Sequence, residues 1–291
     1  MKAFSHILLA SDFSERSGNA EQRILQLTHA GLAELRLLHA LPGSLMEELK
    51  RLIAGGVDVR LRDVAMRQLE ERASRFAAIP GLKVEYLVET GRPHTVVIAL
   101  AEETDSLIVI GAHGGHAVRD WFQGSMVERM LDGSRQPLLV VKQPAQTPYR
   151  RVLVPVDFSP SSASTVEAAI KIAPQAEIVL LHVFEIPFEN KLCFAGVSDA
   201  ELTDYRASGR QQAERDMAAF IRSLPDLGVQ PSMRLEYGYA PEIIIEQAGQ
   251  LACDLIVMGR YGQSGVGQLL LGSVTEYVVM ECGCDIMVVS G

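Results

Sequence analysis

The sequence repeats its own order of motifs, and this repeat constrains the fold more than any other feature. The segment HILLASDFS is echoed by RVLVPVDFS, LRLLHA by IVLLHV, and DSLIVIGAHG by CDLIVMGRYG. Asp157 follows Asp12 by 145 residues, and Gly259 follows Gly111 by 148. A nearly constant offset over most of the chain indicates two copies of one domain joined end to end.

A length of 291 residues accommodates two domains of ordinary size. The short polar segment QPAQTPYR, with two prolines, separates the copies. We expect a first domain over residues 1–143, a linker over 144–148 and a second domain over 149–291.

Short runs rich in Val, Ile and Leu alternate with helical segments in each copy. The second copy offers the strands RVLVPV, EIVLLHV, VQPSMRLEY, DLIVMG and DIMVVS, and a long amphipathic helix over 200–223. Apolar strands that alternate with helices are typical of a parallel sheet covered on both faces. The sequence therefore predicts an α/β protein with two tandem doubly wound domains, each a five-stranded, mainly parallel sheet.

Composition and charge restrict the class of function. The chain is 48% hydrophobic and 22% charged, as in a globular protein, and its net charge of -9 argues against broad capture of nucleic acid. Asp12 interrupts the first apolar run, and no run approaches the about 18 apolar residues of a membrane helix. We expect a cytoplasmic protein with small-molecule or protein partners, and no binding to nucleic acid or membrane.

The cysteines do not form a disulfide framework. Cys193 and Cys253 are isolated, while Cys282 and Cys284 form a C-x-C pair beside the last strand. A single C-x-C pair gives zinc weak support, so reduced thiols are the preferred interpretation and we assign no metal ligand.

Ligands of doubly wound sheets bind outside the carboxyl ends of the strands. Asp12 and Asp157 follow the first strand of the two copies, while Ala40 and Val183 lie at the end of the second strand. We expect these four residues at the ligand-binding sites of the two domains, beside the carboxyl ends of the strands.

Glycine-rich segments follow the fourth strand of both copies and share the spacing G-x2-G-x9-G-S. The lysine of a P-loop is missing, and no dinucleotide fingerprint follows the first strand. Glycines let the main chain approach a ligand closely, and the last glycine and serine begin a helix whose free N–H groups favour an anion. The loops predict phosphate binding, with a tight capped turn as the alternative. The motif residues are Gly111, Gly114, Gly124 and Ser125 in the first copy, and Gly259, Gly262, Gly272 and Ser273 in the second.

These motifs, in this order and over nearly the whole chain, resemble the universal stress protein family in its tandem, ATP-binding form. The resemblance implies an adenine nucleotide alpha hydrolase-like fold, ATP phosphates on the glycine loop, and magnesium or manganese bound through the phosphates. It also implies an intramolecular pseudo-dimer paired through the last strands, PLLVVK and DIMVVS, and allows further assembly into a homodimer.

The residues expected to contact nucleotide form two sets of unequal quality. In the first copy, Ala117, Val127 and Ala10 stand where the second copy has Gly265, Thr275 and Pro155. The hydroxyl groups of Thr275 and Ser273 are expected hydrogen-bond donors to the ligand. We expect tighter binding in the second copy and a weaker or empty site in the first. The stronger set is Pro155, Asp157, Val183, Met258, Gly259, Gly262, Gly272, Ser273, Val274 and Thr275, and the weaker set is Asp12, Ala40, Gly111, Gly114, Gly124 and Ser125.

The histidines do not form a pattern typical of a metal site or a catalytic base. His113, His116 and Asp120 are close in sequence, but a metal site on such a loop lacks a further ligand. His39 and His182 occupy matching strand ends, which favours structural roles.

Ser14 and Ser159 follow the two aspartates at two-residue spacing, which favours helix caps over nucleophiles. No catalytic residue is therefore assigned. The sequence favours a regulatory ATP sensor of the stress response with at most slow hydrolysis. An ATP-hydrolysing or adenylyl- or phosphoryl-transferring enzyme, or a nucleotide-independent scaffold for a protein partner, stays open.

Overall fold

The computed structural model describes residues 4–27, 31–52, 57–112, 126–186, 195–262 and 271–290. These residues form one ten-stranded sheet with the strand order β3-β2-β1-β4-β5-β10-β9-β6-β7-β8. The strands are β1 (His6–Ala10), β2 (Glu34–Leu41), β3 (Lys83–Thr90), β4 (Leu107–Gly111), β5 (Leu138–Val141), β6 (Arg151–Pro155), β7 (Glu177–Phe184), β8 (Ser232–Tyr237), β9 (Leu255–Gly259) and β10 (Asp285–Val289).

Helices cover both faces of the sheet. The described helices are α1 (Glu15–Leu27), α2 (Gly43–Leu52), α3 (Val57–Ser74), α4 (Pro93–Thr104), α5 (Met126–Gly133), α6 (Pro160–Ile172), α7 (Asp199–Ser223), α8 (Ala240–Gln250) and α9 (Ser273–Glu281). One apolar core lies beneath α1, α3, α6 and α7, and a second beneath α4, α5, α8 and α9. The predicted α/β class, with two tandem doubly wound units, is confirmed.

All strand pairs within each half are parallel. The central strands β4 and β9, LIVIG and LIVMG, are buried along four of their five residues because helices cover both faces. One predicted strand is shorter than expected: VQPSMRLEY becomes extended only from Ser232. Pro231 has no N–H to give to a neighbouring strand, so β8 begins after it at the sheet edge.

The two halves are joined by their last strands. β10 pairs antiparallel with β5, and Met287 lies opposite Leu139. The pairing implied by the family resemblance is therefore present within one chain. Because the strands of the two halves run in opposite directions, the carboxyl ends of the strands in one half lie at the opposite end of the common sheet from those in the other half.

A buried carboxylate fastens this junction. Asp285, 1% exposed, accepts hydrogen bonds from Arg23 Nε at 3.0 Å and Tyr149 Oη at 2.8 Å through Oδ2. Its Oδ1 accepts from the backbone N–H of Lys142 at 2.8 Å and of Gln143 at 3.2 Å. Burial and the Asp285 carboxylate raise the pKa of Tyr149 well above its ordinary value, so the phenol stays a donor. The segment between the halves is thus fixed to the first residue of β10.

No helix in the described ranges is both long and apolar enough to cross a membrane.

Replacement of Asp285 by Ala tests the junction. It leaves the Arg23 guanidinium buried without its carboxylate, and we expect the free energy of unfolding to fall by about 3–5 kcal/mol. Arg210→Ala is the control, because its ion pair with Glu214 is exposed and is expected to contribute less than about 0.5 kcal/mol. Denaturant unfolding measures both variants, and a loss below about 1 kcal/mol for Asp285→Ala would contradict this role.

Candidate functional site

A cleft opens at the carboxyl edge of the second half, between the ends of β6, β7 and β9 and the first turns of α6, α8 and α9. Its empty space, including the open mouth, is about 770 Å³. All ten residues of the stronger predicted set line it. They are Pro155, Asp157, Val183, Met258, Gly259, Gly262, Gly272, Ser273, Val274 and Thr275.

The cleft wall also contains residues that the sequence analysis did not select. Ser161 and Thr165 lie one turn apart on α6, and the hydroxyl of Ser161 lies 3.4 Å from the carbonyl oxygen of Tyr261. The serine-rich run after Asp157 was a usable signal for them, because α6 begins at the binding edge. The added lining residues are Val156, Ser161, Ser162, Thr165, Leu181, Ala240, Ile244 and Tyr261.

Asp157 is held firmly at the cleft. Its Oδ1 accepts from the backbone N–H of Ser159 at 3.0 Å and from the hydroxyl of Ser162 at 2.9 Å. A Cβ at Gly262 would lie 2.9 Å from Oδ2 of Asp157. The first and fourth strands therefore bring the carboxylate and the glycine turn together, and a side chain at position 262 would have to displace the Asp157 carboxylate.

The main chain after Asp157 adopts an unusual conformation that a histidine supports. Phe158 has φ of +62°, a left-handed conformation that is rare for a bulky residue. Its ring packs on His182 with the centroids 4.2 Å apart, and His182 Nδ1 lies 2.8 Å from the carbonyl oxygen of Val156. His182 is thus a structural residue, as predicted, and it fixes the turn that directs Asp157.

The first half repeats this arrangement. Phe13 has φ of +64°, stacks on His39 at 4.2 Å, and His39 Nδ1 lies 2.8 Å from the carbonyl oxygen of Ser11. The structural role predicted for His39 is confirmed.

Asp12 occupies the position that corresponds to Asp157. It accepts from the Ser14 backbone at 3.0 Å, from the Ser14 hydroxyl at 2.6 Å and from the Ser17 hydroxyl. Burial raises the pKa of Asp12, but the hydrogen bonds from Ser14 and Ser17 outweigh it and hold the pKa below its ordinary value. The Oδ1 atom of Asp12 is therefore bound within its own turn, as is the Oδ1 atom of Asp157.

The predicted helix caps differ in outcome. The Ser17 N–H donates to the Ser14 hydroxyl at 3.3 Å, which confirms Ser14 as a cap. Ser159 stands at the cap position of α6, but its hydroxyl lies 2.9 Å from that of Ser161 and makes no side-chain cap bond. Ser159 is therefore the cap residue of α6, as predicted, but its hydroxyl binds neighbouring serines rather than the helix backbone.

The fourth-strand glycines have different surroundings in the two halves. A Cβ at Gly111 would overlap the main-chain carbonyl of Arg16 in α1. A Cβ at Gly259 would meet only ordinary contacts, at 3.4 Å from Thr165 Oγ1 and 3.5 Å from Ser161 Oγ. The first helix therefore approaches the fourth strand more closely in the first half.

The rest of the weaker set is only partly described. Ala40 lies in β2 opposite Glu89 of β3, so it is at the predicted edge. The other residues named from sequence in this region lie outside the described residues, as does Cys193. They are Gly114, Gly124, Ser125, His113, His116 and Asp120.

Helix α9 begins at the cleft. Gly272 is its cap residue, and the Gly272 N–H donates to the carbonyl oxygen of Arg260 at 3.0 Å. The N–H groups of the first helical turn, which Ser273 opens, have no acceptor within the helix. The Thr275 hydroxyl donates to the carbonyl oxygen of Gly259 at 2.8 Å, so it joins strand to helix and its proton is not offered to the cleft.

Arg260 is a buried cation within the glycine turn that the sequence analysis did not identify. It is 2% exposed, and its Nε and Nη2 have no hydrogen-bond partner in the described part of the chain. Burial lowers the pKa of Arg260, while Tyr261 and the carboxylate of Asp132 in the first half raise it. The turn between Gly259 and Gly262 therefore contains a positive charge.

Metal-binding side chains do not gather among the described residues of this region. The described residues contain no group of three or more His, Cys, Asp or Glu residues arranged to hold a metal ion.

Comparison with known proteins agrees with the geometry. A universal stress protein of Methanocaldococcus jannaschii is 28% identical over 153 residues, which cover 48% of this chain and 94% of that protein. A solved universal stress protein from Archaeoglobus fulgidus covers 98% of this chain and 96% of its own at 21% identity, and its TM-score of 0.69 shows the shared fold. A universal stress protein solved in complex with cAMP covers 49% of this chain and 98% of its own at 24% identity, with a TM-score of 0.31.

The family comparison covers both halves of the chain. The model of the universal stress protein family matches residues 3–142 and again residues 148–290. With the duplicated motifs and the shared tandem fold, this match shows that the chain belongs to the universal stress protein family.

Proposed function

We propose that the second-half cleft binds ATP and that the protein is a regulatory nucleotide sensor of the stress response. The observation that carries this proposal is the convergence of all ten stronger-set residues on one cleft.

The apolar side of the cleft suits an adenine base. Leu181 and Val183 of β7, Ile244 of α8 and Met258 of β9 line it. An aromatic base gains free energy when such surfaces exclude water from its faces. Asp157, beside these residues, is an acceptor for nucleoside hydroxyl or amino groups.

The opposite side suits phosphate. The first turn of α9 offers main-chain donors and the positive end of the helix dipole, and the hydroxyl of Ser273 is close by. Gly262 and Gly272 keep the wall free of side chains. Arg260 is buried two residues before Gly262 and outside the described lining, and its positive charge adds a longer-range attraction for an anionic ligand.

Magnesium or manganese fits this arrangement as a companion of the triphosphate. The described lining offers one carboxylate, Asp157, and two hydrogen bonds already engage its Oδ1. A protein cage for the ion is therefore missing from the described lining, and the phosphates and water would supply most of its ligands.

We propose at most slow hydrolysis. Among the described lining residues, the titratable side chains are Asp157 and Tyr261. Ser159 and Ser162 hold the carboxylate of Asp157, and we assign it to bind the nucleotide rather than to transfer protons. Sustained phosphate release that depends on the cleft would instead favour the enzyme alternative.

The first half is proposed as the weaker or empty site. Helix α1 approaches Gly111 more closely than α6 approaches Gly259, which leaves less space beside the fourth strand. We further propose domain bounds of 1–143 and 149–291 with a linker over 144–148, a cytoplasmic location, and assembly of whole chains into a homodimer. The protein partner that reads the nucleotide state is not assigned.

Gly262→Val tests nucleotide binding in the cleft. The new side chain would begin 2.9 Å from Asp157 Oδ2 and fill the space assigned to the nucleotide, so we expect ATP affinity to fall at least about tenfold. Gly249→Val is the matched control, because a Cβ at that position meets nothing within 4 Å. Calorimetric titration with ATP, ADP, AMP and cAMP in the presence of magnesium measures the loss. Equal ATP binding by the two variants would reject the site.

Asp157→Ala and Asp12→Ala form a matched pair that tests the inequality of the halves. Both aspartates follow a first strand and cap a similar turn. We expect Asp157→Ala to weaken ATP binding about tenfold, the size of one lost hydrogen bond to a charged group, and Asp12→Ala to change it less than about twofold. Titration gives the affinities and thermal unfolding confirms that both variants are folded. A larger loss in Asp12→Ala would reverse the assignment.

A further inference from the structure

Cys282 and Cys284 bring two sulfur atoms together in the turn between α9 and β10. Their Sγ atoms are 3.2 Å apart. Cys282 is 5% exposed, whereas Cys284 is partly exposed and Gly283 between them is exposed. A Cβ at Gly283 would meet nothing within 4 Å, so this turn has open space around it.

The two sulfurs differ in their protonation. The hydrogen bond from Cys284 lowers the pKa of Cys282 to about 7 against the opposing effect of burial, with help from backbone N–H groups and the Lys142 ammonium. The same hydrogen bond and burial raise the pKa of Cys284. These effects favour ionisation of Cys282 over ionisation of Cys284, with the remaining thiol proton shared in the contact between the two sulfurs. A thiolate is the reactive form of cysteine.

Lys142 reaches this turn from the other half of the protein. Its Nζ donates to the carbonyl oxygens of Val279 and Cys282, both at 2.6 Å, at the end of α9. Gln143 Nε2 donates to the carbonyl oxygen of Gly283 at 2.8 Å. The cysteine pair thus lies directly on the contact between the halves.

Cys253 provides an internal contrast. It is 7% exposed, and burial raises its pKa to about 11. Cys253 therefore stays a thiol under conditions in which Cys282 is ionised.

We propose that Cys282 and Cys284 form an oxidisable dithiol that hydrogen peroxide converts to an intrachain disulfide. The Cys282 thiolate attacks one peroxide oxygen, the O–O bond breaks, and sulfenic acid and hydroxide form. The Cys284 sulfur then attacks the Cys282 sulfur, its proton and the hydroxyl leave as water, and the S–S bond closes. In total, two thiols and one peroxide give one disulfide and two waters.

Formation of the disulfide requires a small movement of the turn that contacts the first half. The sulfurs must approach from 3.2 Å to about 2 Å. The turn that moves holds Lys142 and Gln143 from the first half and precedes Asp285. The same helix, α9, begins at the cleft, so oxidation alters the far end of a cleft-lining element.

Peptide mapping of the peroxide-treated full chain tests the proposal. Trypsin places Cys282 and Cys284 together in peptide 261–291 and Cys253 in peptide 235–260. After brief treatment with hydrogen peroxide and alkylation, we expect peptide 261–291 to carry no alkyl group and to be two hydrogens lighter than the free dithiol peptide. Reduction with dithiothreitol should restore both alkylation sites, while peptide 235–260 stays alkylated throughout.

Two variants separate this reaction from other oxidation. Cys253→Ser should react like the wild type, and Cys284→Ser should trap Cys282 as a sulfenic acid that dimedone labels. Continued double alkylation of peptide 261–291, a cross-link to peptide 235–260, or irreversible addition of oxygen to both sulfurs would each overturn the proposal. Absence of dimedone labelling at Cys282 in Cys284→Ser would overturn the assignment of the nucleophile.

Discussion

The antiparallel pairing of β5 with β10 fixes the position of almost every other functional element. It joins two parallel five-stranded sheets into one and sets their carboxyl edges on opposite sides. The end of α9 in the second half consequently meets Lys142 of the first, and Asp132 of the first half contributes to the electrostatic environment of Arg260. Asp285 holds this arrangement because a buried carboxylate needs all the donors that surround it.

The two halves share the backbone conformation that follows the aspartate more closely than they share the packing around it. A phenylalanine in a left-handed conformation, packed on a histidine, follows the aspartate of each half. The helix that follows approaches the fourth strand closely at Gly111 but stands further away at Gly259. Matching motifs therefore direct the two aspartates in the same way, while the approach of the next helix to the fourth strand differs between the halves.

Sequence reasoning was strong where periodicity and spacing decide the structure. It predicted the parallel sheets and ten of the residues that line the cleft, because these depend on apolar runs and on glycine, whereas the pairing of the last strands was implied by the family resemblance alone. It did not predict the burial of Arg260, the internal bond of the Thr275 hydroxyl or the contacts of Ser159. Each of these depends on which neighbour the folded chain supplies. Phe158 likewise gives no local signal for its left-handed conformation, which His182 supports from another strand.

A structure of the full chain determined with ATP and magnesium tests the central claim most directly. We expect nucleotide in the second-half cleft, with the phosphates at the first turn of α9 and the base beside Val183 and Met258. The first-half edge should show lower occupancy or none. A cleft that stays free of nucleotide at saturating ATP, or nucleotide bound at the first-half edge alone, would contradict the account.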